Sequence, residues 1–404
     1  MVQKSGHRHR DRRERLPDIL SIHMRNGRIF HRASRKKCAG EAIRTEKIMS
    51  EARKTDICGL ELNEFEALLK QDGEKPFRAR QVYRWIFVEG ERDFEKMTDL
   101  PAALRAKLAG KYEASPCAIE RRSVSGDKMA VKYALRLFDD NIVEAVKIYD
   151  GDELDKYTVC VSTQVGCPVN CAFCQTAKMG FIRNLDAAEI VGQVIAAAFD
   201  GEGSPEGLSN IVYMGMGEPL LNYDSVVKSV RIINSPDALN ISMRKITIST
   251  AGVAPMMKKL MAEAMPLTLA LSLHAPDDAL REKLVPLNKK YNIKTLIDTL
   301  KIYVETTKRR VTIEYVLIDG VNDRKSDARK LSELLKGLMC HVNLIPMNKT
   351  EGKYAAPSRG KISEFKNILA AGGINVTVRS SRGQDINAAC GMLYKELKSK
   401  KNIE

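Results

Sequence analysis

Short β-branched apolar runs alternate with helical stretches from residue 157 onward. Seven runs have the composition of buried strands: TVCVS (158–162), NIVYM (210–214), KITIST (245–250), LTLALSL (267–273), VTIEYVLI (311–318), HVNLIP (341–346) and NVTVRS (375–380). Between them, apolar spacing predicts helices over 186–199, 223–234, 255–264, 277–284, 293–306, 324–337 and 358–371. Repeated β/α units predict a parallel sheet with right-handed crossovers. Six or seven units favour an α/β fold with an open or partial barrel, in which functional residues gather on loops at the C-terminal ends of the strands.

Residues 53–115 have a different pattern, which predicts a small helical domain. Asn63 is the expected N-cap of its first helix, and Pro101 opens its third helix, over 101–110. The segment 116–156 alternates in strand fashion and predicts a linking β-hairpin. The sequence therefore predicts five segments: a basic extension (1–52), a helical accessory domain (53–115), a hairpin linker (116–156), the barrel (157–380) and a C-terminal loop with a terminal helix (381–404).

The first 48 residues carry most of the formal net charge of +15. They hold fourteen Lys or Arg and five Asp or Glu, together with four of the six histidines. A basic, polar segment of this kind is typical of a disordered tail. Two interpretations stay open: an RNA-binding arm, or translation from an upstream start codon with Met49 as the biological start. The rest of the chain is mildly basic, which favours a polyanionic partner.

Composition excludes several classes of protein. No window of the 404 residues approaches about 20 uninterrupted apolar positions, and no apolar segment near the N-terminus has the form of a secretory signal. We therefore expect no membrane span and a cytoplasmic protein. Nine cysteines are an odd number, and three are clustered, which favours reduced or metal-binding cysteines over a disulfide scaffold.

The three clustered cysteines are Cys167, Cys171 and Cys174, in the run GCPVNCAFC after the first strand of the β/α series. A structural zinc site has four protein ligands, and a distant residue such as Cys160 or His274 could complete one. A 4Fe-4S cluster is also usually held by four cysteines. Three thiolates would leave one iron open to bind a substrate, and the place of the loop at a strand end favours this second interpretation.

Other polar residues follow later strands of the same series. The turn Gly215-Met216-Gly217-Glu218-Pro219 follows the second strand, and its glycines permit a close backbone approach to a ligand. Polar groups also end the next strands: Ser249 the third, Ser272, Leu273 and His274 the fourth, and Asn348 the sixth. Cys390 lies in SSRGQDINAACGML, where Gly383 and Gly391 predict a tight loop and Arg379 and Arg382 could favour a thiolate.

These motifs together resemble a known family. C-x3-C-x2-C after the first strand, with Phe173 before the third cysteine, resembles the radical S-adenosylmethionine superfamily. The runs GEKPFRARQVYRW, CVSTQVGC, GFIRNL, GMGEPLLN, SLHAP, VPLNKKYNI, VTIEYVLI and DINAACG resemble the RlmN/Cfr family of RNA adenine methyltransferases over about residues 57–395. The fold that this resemblance implies is a partial (β/α)6-type radical SAM barrel.

The resemblance also implies the cofactors and their ligands. Cys167, Cys171 and Cys174 would hold a 4Fe-4S cluster whose open iron is chelated by S-adenosylmethionine, two molecules of which are used per turnover. The residues implied to bind S-adenosylmethionine are Gly217, Glu218, Ser249, Ser272, Leu273, His274 and Asn348. Implied partners are 23S rRNA, tRNA and a reducing electron donor such as flavodoxin or ferredoxin, with the enzyme a monomer.

The implied chemistry uses three further residues. Cys390 would be methylated, would lose a hydrogen atom to a 5′-deoxyadenosyl radical, and would add to the adenine ring; Cys160 would then release the product through a transient disulfide. Glu144 matches the family's proton acceptor. Two products occur in the family, and GMGEPLLN, SRGQD and GEKPFRA favour methylation at C2 over C8. The alternatives are the C8 enzyme and, more distantly, a non-catalytic metal-stabilised RNA-binding protein. One departure from the family pattern is IPMN in place of IPWN, at Met347.

Overall fold

The computed structural model describes residues 54–151, 155–200, 205–348, 354–379 and 382–393. The basic extension expected at 1–52 and the expected terminal helix lie outside the described residues. Among the helices that are described, none has the length and apolar character needed to cross a membrane.

The described chain begins with a small helical domain. Its elements are β1 (Thr55–Asp56), α1 (Leu62–Gln71), α2 (Arg78–Phe87), α3 (Ala102–Lys111) and β2 (Tyr112–Glu113). The prediction of Asn63 as the first N-cap was wrong: Glu61 takes that position, because Glu64 lies three residues later and accepts a hydrogen bond from the Glu61 N–H (2.7 Å). Phe65, Tyr83 and Phe87 pack ring against ring and hold α1 and α2 together.

A three-stranded antiparallel meander follows: β3 (Ala118–Val124), β4 (Ala130–Arg136) and β5 (Ile142–Tyr149). The predicted hairpin is the pair β4 and β5, and β3 is a further strand at its outer edge. Strand β5 also pairs with β6 (Tyr157–Cys160). The meander therefore extends the main sheet as well as linking the helical domain to it.

The β/α series follows the sequence pattern closely. After β6 come β7 (Gln164–Gly166), β8 (Phe181–Asn184), α4 (Ala187–Ala198), β9 (Leu208–Tyr213), α5 (Tyr223–Asn234), β10 (Ile246–Thr250), α6 (Ala254–Ala262), β11 (Thr268–Ser272), α7 (Asp278–Leu284), α8 (Ile293–Thr307), β12 (Val311–Leu317), α9 (Lys325–Leu335), β13 (Cys340–Pro346), α10 (Arg359–Ala371) and β14 (Asn375–Val378). Each helix of the series begins and ends within two residues of its predicted range.

One ten-stranded sheet organises the molecule, in the order β14-β13-β12-β11-β10-β9-β6-β5-β4-β3. Within this sheet, all the pairings among β6 and β9 to β14 are parallel, whereas β7 and β8 form a separate antiparallel pair. The two edge strands, β14 and β3, do not pair with each other, so the sheet is open. This confirms the α/β fold with a partial barrel. Because the seven strands are parallel, their C-terminal ends lie at one edge and the loops after them can form a single site.

The helical domain packs against α4. All twelve residues of α4 are buried, since the sheet and the helical domain cover opposite sides of it. Gly59 comes so near to this helix that a Cβ atom at its position would lie 2.9 Å from the Cβ atom of Ala188. An ion pair between Glu64 and Lys228 (2.8 Å) joins the same domain to α5.

Candidate active site

A cavity of about 170 Å³ lies at the C-terminal ends of the parallel strands. Ten of the thirteen site residues predicted from the sequence line it: Cys167, Cys171, Cys174, Gly217, Glu218, Ser249, Ser272, His274, Asn348 and Cys390. The other three, Cys160, Glu144 and Leu273, do not line it. Leu273 is completely buried, with its side chain in the core. The topology thus brings together residues from loops that are far apart in the chain.

The cysteine loop presents three thiols, and hydrogen-bond donors point at the sulfur atoms of two of them. The sulfur of Cys167 accepts from the backbone N–H groups of Val169 and Asn170, and burial raises the pKa of this thiol to about 12. The sulfur of Cys174 accepts from the backbone N–H groups of Thr176 and Ala177. Such bonds favour a thiolate, and a bound metal reverses the effect of burial on a thiol. The loop therefore fits an iron–sulfur cluster.

A single zinc ion fits this loop less well. Zinc needs its ligands within about 2.3 Å of one point, and among the described residues no three His, Cys, Asp or Glu side chains converge in that way. His274, a fourth ligand that the sequence left open, uses its Nδ1 atom to accept from the Val316 N–H (3.0 Å).

Glu218 is a buried carboxylate in the turn that follows β9, the second strand of the parallel series. Its Oε2 atom accepts from the Ala251 N–H (2.7 Å) and its Oε1 atom from the Leu220 N–H (3.1 Å). Burial raises the pKa of this carboxyl. The preceding Gly217 has a φ of 104°, and a Cβ there would lie 2.7 Å from the Gln164 side chain. Glu218 is therefore a fixed acceptor in the cavity wall, suited to a ligand ammonium group.

His274 is held in one orientation. Its backbone has a φ of 61°, and its ring meets Phe173 edge to face, with centroids 4.9 Å apart. Burial lowers the pKa of its imidazole to about 3. Because Nδ1 accepts a hydrogen bond, the neutral ring carries its proton on Nε2, which makes it a donor.

Arg281 was not identified from the sequence, although it holds the cavity wall together. This side chain on α7 is completely buried and donates to three backbone oxygens, those of Leu273 (3.0 Å), Ala251 (2.6 Å) and Ser272 (3.0 Å). Burial lowers the pKa of its guanidinium to about 10. The sequence does indicate that this side chain is buried, because Arg281 shares a helical face with the apolar residues Leu284 and Val285.

Glu314 also lines the cavity and was not identified from the sequence. It lies on β12, in register with Ser272 on β11 and Asn343 on β13. Asn343 Nδ2 donates to its Oε2 atom (2.9 Å). Burial raises the pKa of this carboxyl to about 7, and the nearby Arg379 opposes that effect.

The loop that carries Cys390 is fastened to several elements. Asn348 Nδ2 donates to the Cys390 main-chain oxygen (2.9 Å), and the Gln175 N–H donates to the Gly391 oxygen (2.9 Å). On the meander, the Gly126 N–H donates to Asp385 Oδ2 (2.7 Å). Gly383 and Gly391 have positive φ, as the predicted tight loop requires. The β3–β5 meander and the cysteine loop thus hold Cys390 from two sides.

Cys160 is a buried thiol on β6, adjacent to this loop. Burial raises its pKa to about 12; the charge on Cys390 adds to the increase and Arg379 opposes it. The two thiols that the resemblance pairs are therefore electrostatic neighbours.

Glu144 lies on β5, away from the cavity lining. Its Oε1 atom is 3.2 Å from Lys132 Nζ, and both side chains are only 3% exposed. Lys132 also donates to the main-chain oxygen of Asn387 (3.4 Å), in the Cys390 loop. The structure thus places this glutamate in a buried ion pair beside that loop.

Two family models match the chain. The model of the radical SAM superfamily matches residues 161–331, which include the cysteine loop and most of the barrel. The model of the ribosomal RNA large subunit methyltransferase N-terminal domain matches residues 55–114, the helical domain.

Curated relatives cover nearly the same part of the chain. A probable dual-specificity RNA methyltransferase RlmN from Syntrophomonas wolfei is 46% identical over 352 residues, 85% of this chain and 98% of the relative. Another, from Lachnoclostridium phytofermentans, is 46% identical over 360 residues, 88% of this chain and 99% of the relative. The crystal structure of a radical SAM methyltransferase from Sphaerobacter thermophilus superposes with a TM-score of 0.81 at 46% identity, covering 84% of this chain and 99% of that one.

The barrel and the helical domain thus match one group of enzymes over most of the chain. Members of the superfamily use a 4Fe-4S cluster and S-adenosylmethionine, and the N-terminal domain is that of enzymes acting on RNA. The chain belongs to the RlmN family of radical SAM RNA methyltransferases.

Proposed function

We propose that this enzyme methylates C2 of adenine in 23S rRNA and in tRNA next to the anticodon. One observation carries the proposal: Cys390, from the C-terminal loop, lines the same cavity as Cys167, Cys171 and Cys174. A methyl-carrying cysteine beside a radical source is what transfer to a ring carbon requires, because an electrophilic sulfonium does not readily alkylate an amidine carbon, whereas a carbon radical does.

The cavity offers a binding site for both cofactors. In the proposal, the thiolates of Cys167, Cys171 and Cys174 hold the cluster. The turn at Gly217 and Glu218 takes the amino group of S-adenosylmethionine. Ser249, Ser272, His274 and Asn348 contact the rest of that molecule, while the Leu273 side chain stays in the core. When bound, the cluster and S-adenosylmethionine supply a 5′-deoxyadenosyl radical.

Cys390 carries the one-carbon unit in this scheme. Its sulfur forms a bond to the methyl carbon of one S-adenosylmethionine while the sulfonium C–S bond breaks, and S-adenosylhomocysteine leaves. Loss of a hydrogen atom from that methyl group leaves a carbon radical on Cys390, which adds to C2 of adenine. The aromatic ring is restored when the adduct loses one electron, which the oxidised cluster held by Cys167, Cys171 and Cys174 would accept, and the C2 proton leaves to a base.

Cys160 then releases the product. Its thiolate forms an S–S bond with Cys390 as the S–C bond of the adduct breaks, and the electron pair goes to carbon, which takes up a proton to become the methyl group. A thiol reductant supplies two electrons to reopen the disulfide. The burial of Cys160 next to Cys390 supports this pairing.

Glu144 is the proposed acceptor of the C2 proton, on the basis of the family resemblance. Its place beside the Cys390 loop supports the assignment. Because its carboxylate pairs with Lys132, the proton would reach it only if that ion pair opens or a polar group relays the proton.

RNA engagement would place the target adenine, unstacked, next to Cys390. Arginines of the helical domain are candidate phosphate contacts: Arg80 and Arg84 are exposed on α2, and Arg78 is half-buried. Arg84 lies 3.4 Å from Glu89, so this contact would have to be exchanged for a phosphate. A flavodoxin or ferredoxin is the proposed electron donor.

Nucleoside mass spectrometry tests the proposal. Ribosomal RNA and tRNA are purified separately from a strain lacking this gene and from the same strain carrying it on a plasmid. We expect 2-methyladenosine to be absent from both RNA fractions of the deletion strain and restored by the plasmid. Persistence of 2-methyladenosine at its full level would refute the proposal, and loss of 8-methyladenosine instead would identify the C8 enzyme.

A further inference from the structure

Cys390 stands between two cavities. Besides the cavity shared with the cysteine loop, it lines a second one of about 260 Å³. The walls of this second cavity include Asp150, Arg379 and Arg382. Ile345 lines both cavities as well, so the two spaces adjoin at Cys390. Two cationic side chains therefore lie near the thiol that must react.

The two arginines are bound differently. Arg382 uses its Nη1 atom to donate to the main-chain oxygens of Tyr149 and Gly151, so it fastens the loop. Arg379 forms no ion pair with a carboxylate among the described residues; its guanidinium meets the Met214 sulfur (3.9 Å). Its main chain is fixed, because its N–H donates to the Leu344 oxygen (2.8 Å) and prolongs the β13–β14 pairing.

Both thiols and one carboxylate surround Arg379. The attraction of Cys390 is the largest effect on its guanidinium, and it raises the pKa of Arg379; Glu314 and Cys160 act in the same direction. The backbone N–H of Met214, the residue in contact with Arg379, donates to the Cys160 sulfur. Glu314 accepts its hydrogen bond from Asn343 Nδ2 (2.9 Å). The positive charge of Arg379 thus acts on both sulfur atoms, those of Cys160 and Cys390.

We propose that Arg379 is a positioning residue that stabilises the anionic sulfur of Cys390 for methylation and later that of Cys160 for product release. The inference rests on the proposed function. One cation serves both steps because the sulfurs react in turn: once Cys390 is a neutral thioether, it no longer competes for the positive charge, and Cys160 becomes the anion that Arg379 stabilises.

The bonds made and broken at each step fit this order. In the first step, the Cys390 thiol gives its proton to solvent, and its electron pair forms the S–CH3 bond while S-adenosylhomocysteine departs. In the last step, the Cys160 thiol gives up its proton, its electron pair forms the S–S bond, and the adduct S–C bond breaks with its pair on carbon. Arg379 changes neither its bonds nor its protonation in either step.

The test compares Arg379→Gln, which removes the charge, with Arg379→Lys, which keeps it. Each cluster-loaded protein, matched for iron content and thermal unfolding, is incubated without RNA with methyl-deuterated S-adenosylmethionine. Labelling of the Cys390 peptide is followed by mass spectrometry. A positive charge in the same cavity favours the thiolate that attacks the sulfonium methyl carbon. We therefore expect Arg379→Gln to label about tenfold more slowly or worse, and Arg379→Lys to recover most of the rate.

A second arm tests the later step. Arg379→Gln is labelled to completion by long incubation and then given RNA and reductant. We expect a covalent RNA–protein adduct to accumulate above the wild-type level, because Cys160 attacks slowly. Absence of such an adduct would overturn the role toward Cys160.

The outcomes separate this inference from the proposed function. No label on Cys390 of the wild-type enzyme would refute the proposed function itself. If the wild type is labelled and Arg379→Gln is labelled at an equal rate, only the role of Arg379 is overturned. Weaker RNA binding in that variant would then show that Arg379 contacts an RNA phosphate. A rate in Arg379→Lys as low as in Arg379→Gln would show that charge is not what matters at this position.

Discussion

Asn348 donates a hydrogen bond from its Nδ2 atom to the main-chain oxygen of Cys390, over 2.9 Å. Its Oδ1 atom accepts another from Gln384 Nε2 (3.0 Å), in the same loop. The residue that the sequence predicts as a cofactor contact is therefore also a fastening point for the Cys390 loop. Through its amide, the cavity lining and the position of Cys390 are linked.

Replacing Gln384 by Ala tests the fastening without touching the cavity wall. The change leaves Asn348 Oδ1 without its donor. The lost hydrogen bond contributes about 1 kcal/mol to holding the Cys390 loop in its position. We expect the rate of RNA methylation to fall several-fold while the KM for S-adenosylmethionine stays unchanged. Asn348→Ala, the matched variant, should impair both quantities. Wild-type kinetics in Gln384→Ala would show that this bond does not position Cys390.

Arg281→Lys keeps a positive charge but removes the planar fork that reaches three backbone oxygens. Leaving buried oxygens without donors costs about 1–3 kcal/mol each, and a lysine replaces only part of the set. We expect the free energy of unfolding, measured in urea, to fall by about 2–4 kcal/mol. Arg231→Lys on α5 is the control, since that side chain is 46% exposed and its ion pair contributes little. Equal losses in the two variants would contradict the role of Arg281.

The barrel elements could be predicted because parallel strands buried on both faces leave continuous apolar runs between amphipathic helices. Helix α5 occupies its predicted range of 223–234 without change. The helix boundary at Glu61 could not be fixed in the same way, since two overlapping sets of capping residues compete there and only the geometry decides.

The site was predictable only in part. Polar residues at strand ends, such as Ser249 and His274, can be found from the pattern, because parallel strands bring their C-terminal ends together. Arg281 and Glu314 were not identified. The apolar helical face that Arg281 shares with Leu284 and Val285 indicates burial but not the backbone oxygens that it binds, and the partner of Glu314 lies on another strand. The neighbourhood of Cys160 and Cys390 depends on the whole sheet topology, and only the family resemblance suggested it.

Lys132 and Glu144 offer a test of a buried ion pair. Removing one partner leaves an uncompensated buried charge, which costs about 3–5 kcal/mol, whereas removing both is far less harmful. We expect Lys132→Met to lower the free energy of unfolding by about that amount, and the double variant Lys132→Met/Glu144→Gln to recover a large part of it. Urea denaturation measures both. Strictly additive losses in the double variant would mean that the two side chains do not interact.

Glu314 predicts a pH dependence of stability. Its pKa is raised to about 7 by burial, against about 4.3 in the unfolded chain. Between these values the folded state binds more protons than the unfolded state, so this carboxyl stabilises the fold below about pH 4.3 and the contribution is lost as the pH rises toward 7.

The measurement compares wild type with Glu314→Gln in urea at several values between pH 5 and pH 8. We expect the wild type to lose about 2–4 kcal/mol relative to the variant as the pH rises toward 7, and the difference to level off above that. Glu305→Gln, at an exposed position on α8, is the control and should show no such trend. A difference that does not depend on pH would mean that Glu314 titrates as it does in the unfolded chain.

Alanine variants of Cys160 and Cys390 should lose methyl transfer at different steps. With RNA and S-adenosylmethionine, Cys160→Ala is expected to accumulate a covalent RNA–protein adduct, since the S–C bond to Cys390 can form but is not resolved. Cys390→Ala should form no adduct and transfer no methyl group, yet still cleave S-adenosylmethionine, because the cysteine loop is intact. Cys340→Ala on β13, a buried cysteine outside the cavity, should retain activity.

Denaturing gels and mass spectrometry of the RNA-linked peptide identify the adduct. Its appearance in the double variant Cys160→Ala/Cys390→Ala would show that another residue carries the carbon.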